Sequence, residues 1–417
     1  MAASGRTNGW ASSVALVALL SAATLCAVEW RSVGAQPTSA LTADISIPVN
    51  DFGLRLLRTL TDGSGANVIV SPLSVSLALA ITYNGAAGET RNAIAKTLGA
   101  VTLSDTDFNR RNRLLLDTIQ KADPAVQMEI ANALWTQSGL SISSEFLKLS
   151  HDYFDAAAES LNFEGDPGKA ADVINGWVKQ RTHGKIPEII ENPSRSTVLV
   201  ITDAVYFKGR WSLPFDKKKT EPRTFHLQGG GSVTPPMMSQ NGKYDYFETN
   251  SFQAIRLPYG NDRLAMYVFL PRKNTRLPDF LRSLDESHWR EWTRKLARSK
   301  GEIVLPGFES TYSQQLNNAL KAMGMSVAFG PQADFSRLRP PPPPLRIDAV
   351  EHKTYVKVDE EGTEAAAVTS VGIVAMAVIA SPPPFQMVVD HPFFCAIAEQ
   401  RSGALLFAGV VTDPTQR

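Results

Sequence analysis

Cysteine is almost missing from this chain: Cys26 and Cys395 are the only two in 417 residues, which excludes a disulfide-stapled scaffold and a Cys-x-x-Cys redox or zinc centre. Histidine is nearly as scarce, and the six imidazoles lack His-Glu-x-x-His spacing, so neither a metal nor a cofactor is expected. No Gly-x-Ser-x-Gly elbow and no phosphate-binding loop occur either, which removes the usual signatures of an enzyme. An excess of one charge is also lacking. A formal net charge of +1 gives no bulk attraction for nucleic acid or a membrane surface. What remains is a chain with 43% hydrophobic and 20% charged residues, ample for a large packed core. Its length alone favours two domains, so a one-domain reading needs support from motifs.

A long apolar run is missing as well. Val14 to Val28 is shorter than the ~20 residues a bilayer-spanning helix needs. It follows Arg6 and precedes a polar break at Glu29 and Arg31, with Val33-Gly34-Ala35 where a signal peptidase would cut. Residues 1–35 therefore read as a signal peptide and 36–417 as a secreted domain, extracellular or periplasmic, with no membrane contact. Removing the signal takes two basic residues and one acidic residue and leaves no net charge. Cys26 leaves with it. Cys395, inside the apolar run Phe393 to Ile397, is then the only thiol and reads as buried and inert.

The pattern along the chain is α+β. Asp44 to Leu60 has helical spacing, and Asn67 to Thr82 reads as a strand end entering a buried helix that Asn84-Gly85 and Ala87-Gly88 stop. Asp105 to Gln120 suits a helix, and Val126 to Trp135 and Leu199 to Phe207 suit central strands. Shorter β-rich pieces recur at Ala254–Leu257, Leu264–Leu270, Glu302–Leu305, Tyr355–Val358 and Met387–Val389. Pro340–Pro344 and Pro382–Pro384 are stiff loop material, not domain linkers.

One segment is anomalous. From Thr363 to Ser381 the only charge is Glu364, and no proline comes before Pro382, a composition exposed loops avoid because it pairs into sheets. With period two, Thr363, Ala365, Ala367, Thr369, Val371, Ile373 and Ala375 form a face that is small or β-branched throughout. The run from Thr363 to Met376, at ~3.3 Å per residue, would span roughly 45 Å as a strand. A buried β-hairpin, or an Ala-rich helix from Glu360 to Val368, fits the same residues.

Those residues resemble the hinge and reactive-centre loop of the serpin family, and other segments agree in the family's order. They are Asn67–Ser74 (NVIVSPLS), Asn84–Thr90, Ile130–Trp135 (IANALW), Ile174–Val178, Thr182–Ile186, Tyr206–Trp211 (YFKGRW), Pro236–Met238, Leu257–Tyr259, Asp390–Phe393 (DHPF), Leu406–Gly409 and Asp413-Pro414. The resemblance runs from about residue 44 to 414 and implies one fold of three β-sheets and eight or nine helices, with an exposed loop at about 362–384. It implies a monomer that inhibits serine proteases, has no catalytic turnover, and traps the target as a covalent acyl complex by inserting the cut loop into the main sheet. The alternative is a non-inhibitory carrier or chaperone of the same fold.

By the same resemblance, Glu360, Gly362, Thr363, Glu364, Ala365, Ala366 and Ala367 form the hinge, and Ser71, Ser74, Asp203, Trp211 and His352 lie where the sheet opens. Counting the family's usual loop length from Gly362 places the reactive bond at Met376–Ala377, with Val374, Ala375 and Ala377 to Ile379 still open. No Arg or Lys lies between Gly362 and Pro384, so elastase-, chymotrypsin- or subtilisin-like targets fit better than trypsin-like ones, whose buried carboxylate would go unpaired. The family usually has Asn where this chain has Asp203. A buried Asp203–His352 pair would make loop entry sensitive to pH, and a solvated Asp203 would not. Arg110, Arg111 and Arg113 fall where some serpins bind glycosaminoglycans, but Asp105 and Asp107 beside them favour a solvated face.

Overall fold

The computed structural model describes residues 38–340, 342, 344–362 and 383–416. Among these residues are nine α-helices and three sheets. The helix of Pro72–Gly85 is buried along its whole length, as an all-round apolar sequence requires. Its start is fixed twice over. Pro72 presets the first helical turn, and the Ser71 side chain accepts a hydrogen bond from the Ser74 N–H. Ser104 caps the helix Asp105–Gln120 in the same way, and Asp166 with Pro167 starts Pro167–Arg181.

Five strands make the main sheet, in the order Phe308–Gln315, Ala349–Val358, Leu199–Gly209, Val126–Gln137, Ala157–Leu161. Alternation along Leu199–Gly209 sends Leu199, Ile201, Val205 and Phe207 into the principal core above the helix Pro72–Gly85. Val200, Ala204 and Tyr206 point the other way, into a smaller core closed by Ala170, Ala171, Ile174 and Val178 of the helix Pro167–Arg181. Trp177 of that helix meets Trp135 edge-on, with ring centroids 5.6 Å apart.

The two central strands, Leu199–Gly209 and Ala349–Val358, are parallel neighbours whose register runs from Ala349 opposite Val200 to Tyr355 opposite Tyr206. No strand lies between them. Beyond Tyr206 and Tyr355 both strands continue but pair only outward. Phe207 to Gly209 face Met128 to Val126, and Val356 and Val358 face Ser310 and Phe308. The seam is therefore unzipped at the end from which the chain leaves toward residue 363.

A second sheet starts at Val68–Val70 and passes through Leu405–Val411, Phe393–Glu399, Leu264–Pro271, Phe252–Tyr259, Pro236–Glu248 and Ala297–Pro306 to Phe385–Val388. Only its last pair is parallel. Glu221–Pro222 adds to Pro236–Glu248, and Phe225–His226 with Ser232–Val233 forms a separate hairpin. Cys395 is buried among apolar neighbours, which pushes its thiol up to about 12, the state of an unreactive sulfur. No helix among the described residues is long and apolar enough to cross a membrane.

Candidate functional site

Ser71, Ser74, Asp203 and His352 meet at the middle of the seam, all fully buried. His352 stands on one central strand and Asp203 is its direct partner on the other. The Ser71 N–H donates to His352 Nε2 at 3.3 Å, so the ring hydrogen sits on Nδ1 and points at Asp203 Oδ1, 2.9 Å away. This is a neutral ring donating to a carboxylate across the seam. A second proton, on Nε2, would face the Ser71 N–H. Asp203 Oδ2 is buried and has no hydrogen-bond partner among the described residues, an uncommon and costly condition for a carboxylate oxygen.

Two residues outside the predicted set complete the cluster. Asn132, the partner of Asp203 on the next strand, accepts from Ser74 Oγ at 3.3 Å and donates to the Ser74 carbonyl at 3.2 Å. Thr354 Oγ1 donates to the Ile69 carbonyl at 2.7 Å. These bonds tie the start of the helix Pro72–Gly85 to the strands Ala349–Val358 and Val126–Gln137, on either side of Leu199–Gly209. Parting the central strands must disturb them.

Trp211 lies elsewhere, at the open end of the seam, and there it holds the backbone of Asp359 and Glu361. Its backbone N–H donates to the Glu361 carbonyl at 3.1 Å, its indole N–H to the Asp359 carbonyl at 2.9 Å, and the Phe215 N–H to the Glu360 carbonyl at 2.7 Å. The indole is itself fixed by stacking on Tyr259, with centroids 4.4 Å apart and planes 9° from parallel. Gly362 bridges to Arg210 with φ +124°. A Cβ there would sit 2.3 Å from the Gly209 carbonyl oxygen, so only glycine fits. Lys217 forms an ion pair with Glu361, whose side chain is only 17% exposed, and this bond holds the Lys217 ammonium above the usual lysine range. Thr363, Glu364, Ala365, Ala366, Ala367, Met376 and Ala377 lie outside the described residues. Past the loop, Phe385 stacks on Tyr246 at 3.9 Å.

Two of the three arginines of the helix Asp105–Gln120 pair within their own helix: Arg110 with Asp107 at 3.0 Å and Arg113 with Asp117 at 2.7 Å. His391 bonds Asp390 and the Pro271 carbonyl, each at 2.7 Å. Among the described residues no group of His, Cys, Asp and Glu is arranged to hold a metal ion.

Comparison with known proteins agrees with this architecture. A family model described as Serpin (serine protease inhibitor) matches residues 48–414. An uncharacterized serpin-like protein of Thermococcus kodakarensis is 35% identical over 88% of this chain and 85% of its own length. Iripin-2 of Ixodes ricinus is 33% identical over 95% and 97%. Among solved structures, the thermophilic serpin tengpin in its native state superposes with a TM-score of 0.80 at 28% identity, covering 89% of this chain and 94% of that one. Human thyroxine-binding globulin complexed with its hormone gives 0.82 at 25%, covering 90% and 100%. With the family model spanning the fold, the buried cluster at the seam and the glycine hinge at its open end, the chain belongs to the serpin family, whose members usually inhibit proteases and of which some do not.

Proposed function

We propose that the mature chain is a secreted, single-use inhibitor of serine proteases, a monomer of one domain over residues 36–417 released by removal of residues 1–35. The observation that carries this reading is the seam: two parallel central strands paired directly with each other, with no strand between them, and unzipped beside Gly362, from which the chain leads into a segment composed like a strand. The target cuts the loop at Met376–Ala377 and its catalytic serine is acylated by the new C-terminal residue, while the downstream peptide leaves as an amine. The freed hinge enters the seam as an added strand and carries the acylated protease with it before water reaches the ester. The loop's lack of Arg and Lys directs it to elastase-, chymotrypsin- or subtilisin-like enzymes.

Incubation with elastase, chymotrypsin, subtilisin and trypsin, followed by denaturing electrophoresis and mass analysis of the released peptide, tests this. Complexes that survive denaturant with at least one of the first three, and none with trypsin, are expected. Clean cleavage in the loop by the first three without a complex would favour the carrier or chaperone reading instead.

The bond across the seam gives a second expectation. Asp203→Asn keeps an acceptor for the His352 Nδ1–H but makes it neutral, and charge-assisted hydrogen bonds are roughly twice as strong as neutral ones. Spontaneous loop insertion on mild heating should then be faster by about tenfold, the equivalent of about 1.4 kcal/mol. The time course of inhibitory capacity at one fixed temperature measures it. An unchanged or slower decay would mean that the carboxylate does not help to close the seam.

A further inference from the structure

The run of five prolines, Pro340 to Pro344, has no part in the seam, the hinge or the segments that carry the family resemblance. Both of its feet are fixed. Leu338 and Leu345 are buried; the Leu338 N–H donates to the Gly85 carbonyl at 2.9 Å, the Leu338 carbonyl accepts from the Ser143 N–H at 2.8 Å, and the Ile347 N–H donates to the Ala328 carbonyl at 3.0 Å. Between the feet Pro340, Pro342 and Pro344 are exposed, and the Arg339 guanidinium donates to the Pro342 carbonyl at 2.9 Å. Proline fixes φ and has no N–H, so such a run joins neither a helix nor a ladder and is stiff.

The run leads directly to the closed end of the seam. Pro344 precedes Ala349 by five residues, so it lies at most about 18 Å from the last rung, where Ala349 stands opposite Val200. At the other end Gly362 bridges both Arg210 and Asp359 in antiparallel fashion. Carried down the seam, each bridge independently brings Gly372 level with that last rung, one through Val200 and the other through Ala349. From there to Met376 the chain can reach only about 14 Å. A protease of roughly 250 residues has a radius of gyration of about 18 Å. On so short a tether, a body of that size covers the closed end and meets what projects there.

We propose that Pro340–Pro344 is a stop against which the transported protease is pressed, and that this contact prolongs the life of the trapped ester. Deacylation needs a water, activated by the protease's own base, at the ester carbonyl; it breaks the bond to the serine oxygen, which leaves as the alcohol, and frees Met376 as a carboxylate. A stiff projection opposes settling of the protease into the geometry this step requires, and it has little conformational freedom to lose on contact. The inference rests on the reading that the cut loop inserts with its protease attached.

The test uses the full mature chain and elastase. Cys395 is buried and unreactive, so Pro342→Cys supplies the one accessible thiol of the mature chain for a benzophenone label. Irradiation of the formed complex should cross-link the protease through that position and not through Leu213→Cys, a site 53% exposed two residues from Trp211 at the open end. With Pro340→Ser, Pro341→Ser, Pro342→Ser, Pro343→Ser and Pro344→Ser combined, complex should form in the same yield and release active protease about tenfold faster. Complex that cross-links through neither position, or whose lifetime the five serines leave unchanged, overturns the stop and leaves trapping intact. No complex at all, or cross-linking through Leu213→Cys alone, overturns the function proposed above together with the stop.

Discussion

A single cut between Gly362 and Pro384 should leave a product that melts on the order of 10 °C or more above the intact chain. Most nicks lower stability, because they free two ends in the unfolded chain and in the folded one. Here the chain leaves the open end of the seam at Gly362 and would re-enter between strands that now pair directly with each other, from Ala349 and Val200 to Tyr355 and Tyr206. Entering from that end, the segment runs antiparallel to both neighbours. One parallel ladder is thereby exchanged for two antiparallel ones, which are slightly more stable per residue. Inserted there, Val371 and Ile373 would join the core already lined by Ile201, Val205, Phe207 and Val356. At about 1.3 °C per kcal/mol for a chain of this size, a rise of about 10 °C corresponds to about 8 kcal/mol, the order of burying three to five such side chains. The intact form survives because the seam must part first, a kinetic stability. Thermal melts by circular dichroism, before and after nicking by a protease that forms no complex, measure the shift. A nicked chain that melts at or below the intact one contradicts insertion.

Much of this architecture is legible in the residues, and what is hidden has a physical cause. The helix Asp105–Gln120 shows its limits because Ser104 caps one end and the apolar spacing is regular. The strand ending at Val358 is visible only over its last residues, although it begins at Ala349. Its first half carries Glu351, His352, Lys353 and Thr354, whose polarity hides the strand. His352 and Thr354 are nevertheless fully buried, because their partners at Ser71, Asp203 and Ile69 arrive from distant parts of the chain. Burial of a polar side chain is set by such partners, and local periodicity carries no trace of them. The same holds for the ion pair of Lys217 with Glu361. Gly362 is conspicuous as a hinge residue by resemblance, whereas the role of Glu361 depends on Lys217, 144 positions earlier. Asp203 and His352 could be paired from the family pattern, but the orphaned Oδ2 and the direction of the Ser71 bond follow only from coordinates.

Placing a charge at Ala367 should turn the proposed inhibitor into a plain substrate. Ala367 shares its face with Thr363 and Ala365, which by period two turns toward the same side as the strand is drawn in. On that side the central strands present Val205, Phe207, Val356 and Val358 at the open end of the seam, all at most 2% exposed. Forcing a guanidinium into such surroundings costs several kcal/mol even after relaxation, and 1.4 kcal/mol already slows a step tenfold. Trapping is a race between entry of the hinge and hydrolysis of the acyl ester, and a delay of this size hands the race to water. Ala367→Arg should therefore be cleaved at an undiminished rate and yield little or no complex stable to denaturant, with the protease recovered active. Ala366→Arg, one position along and on the opposite face, should keep most of the trapping. Quantifying complex and cleaved product on one denaturing gel gives the partition for both variants. Equal partition in the two would show that sidedness does not govern entry, and undiminished complex with Ala367→Arg would mean the hinge does not enter the seam in this register.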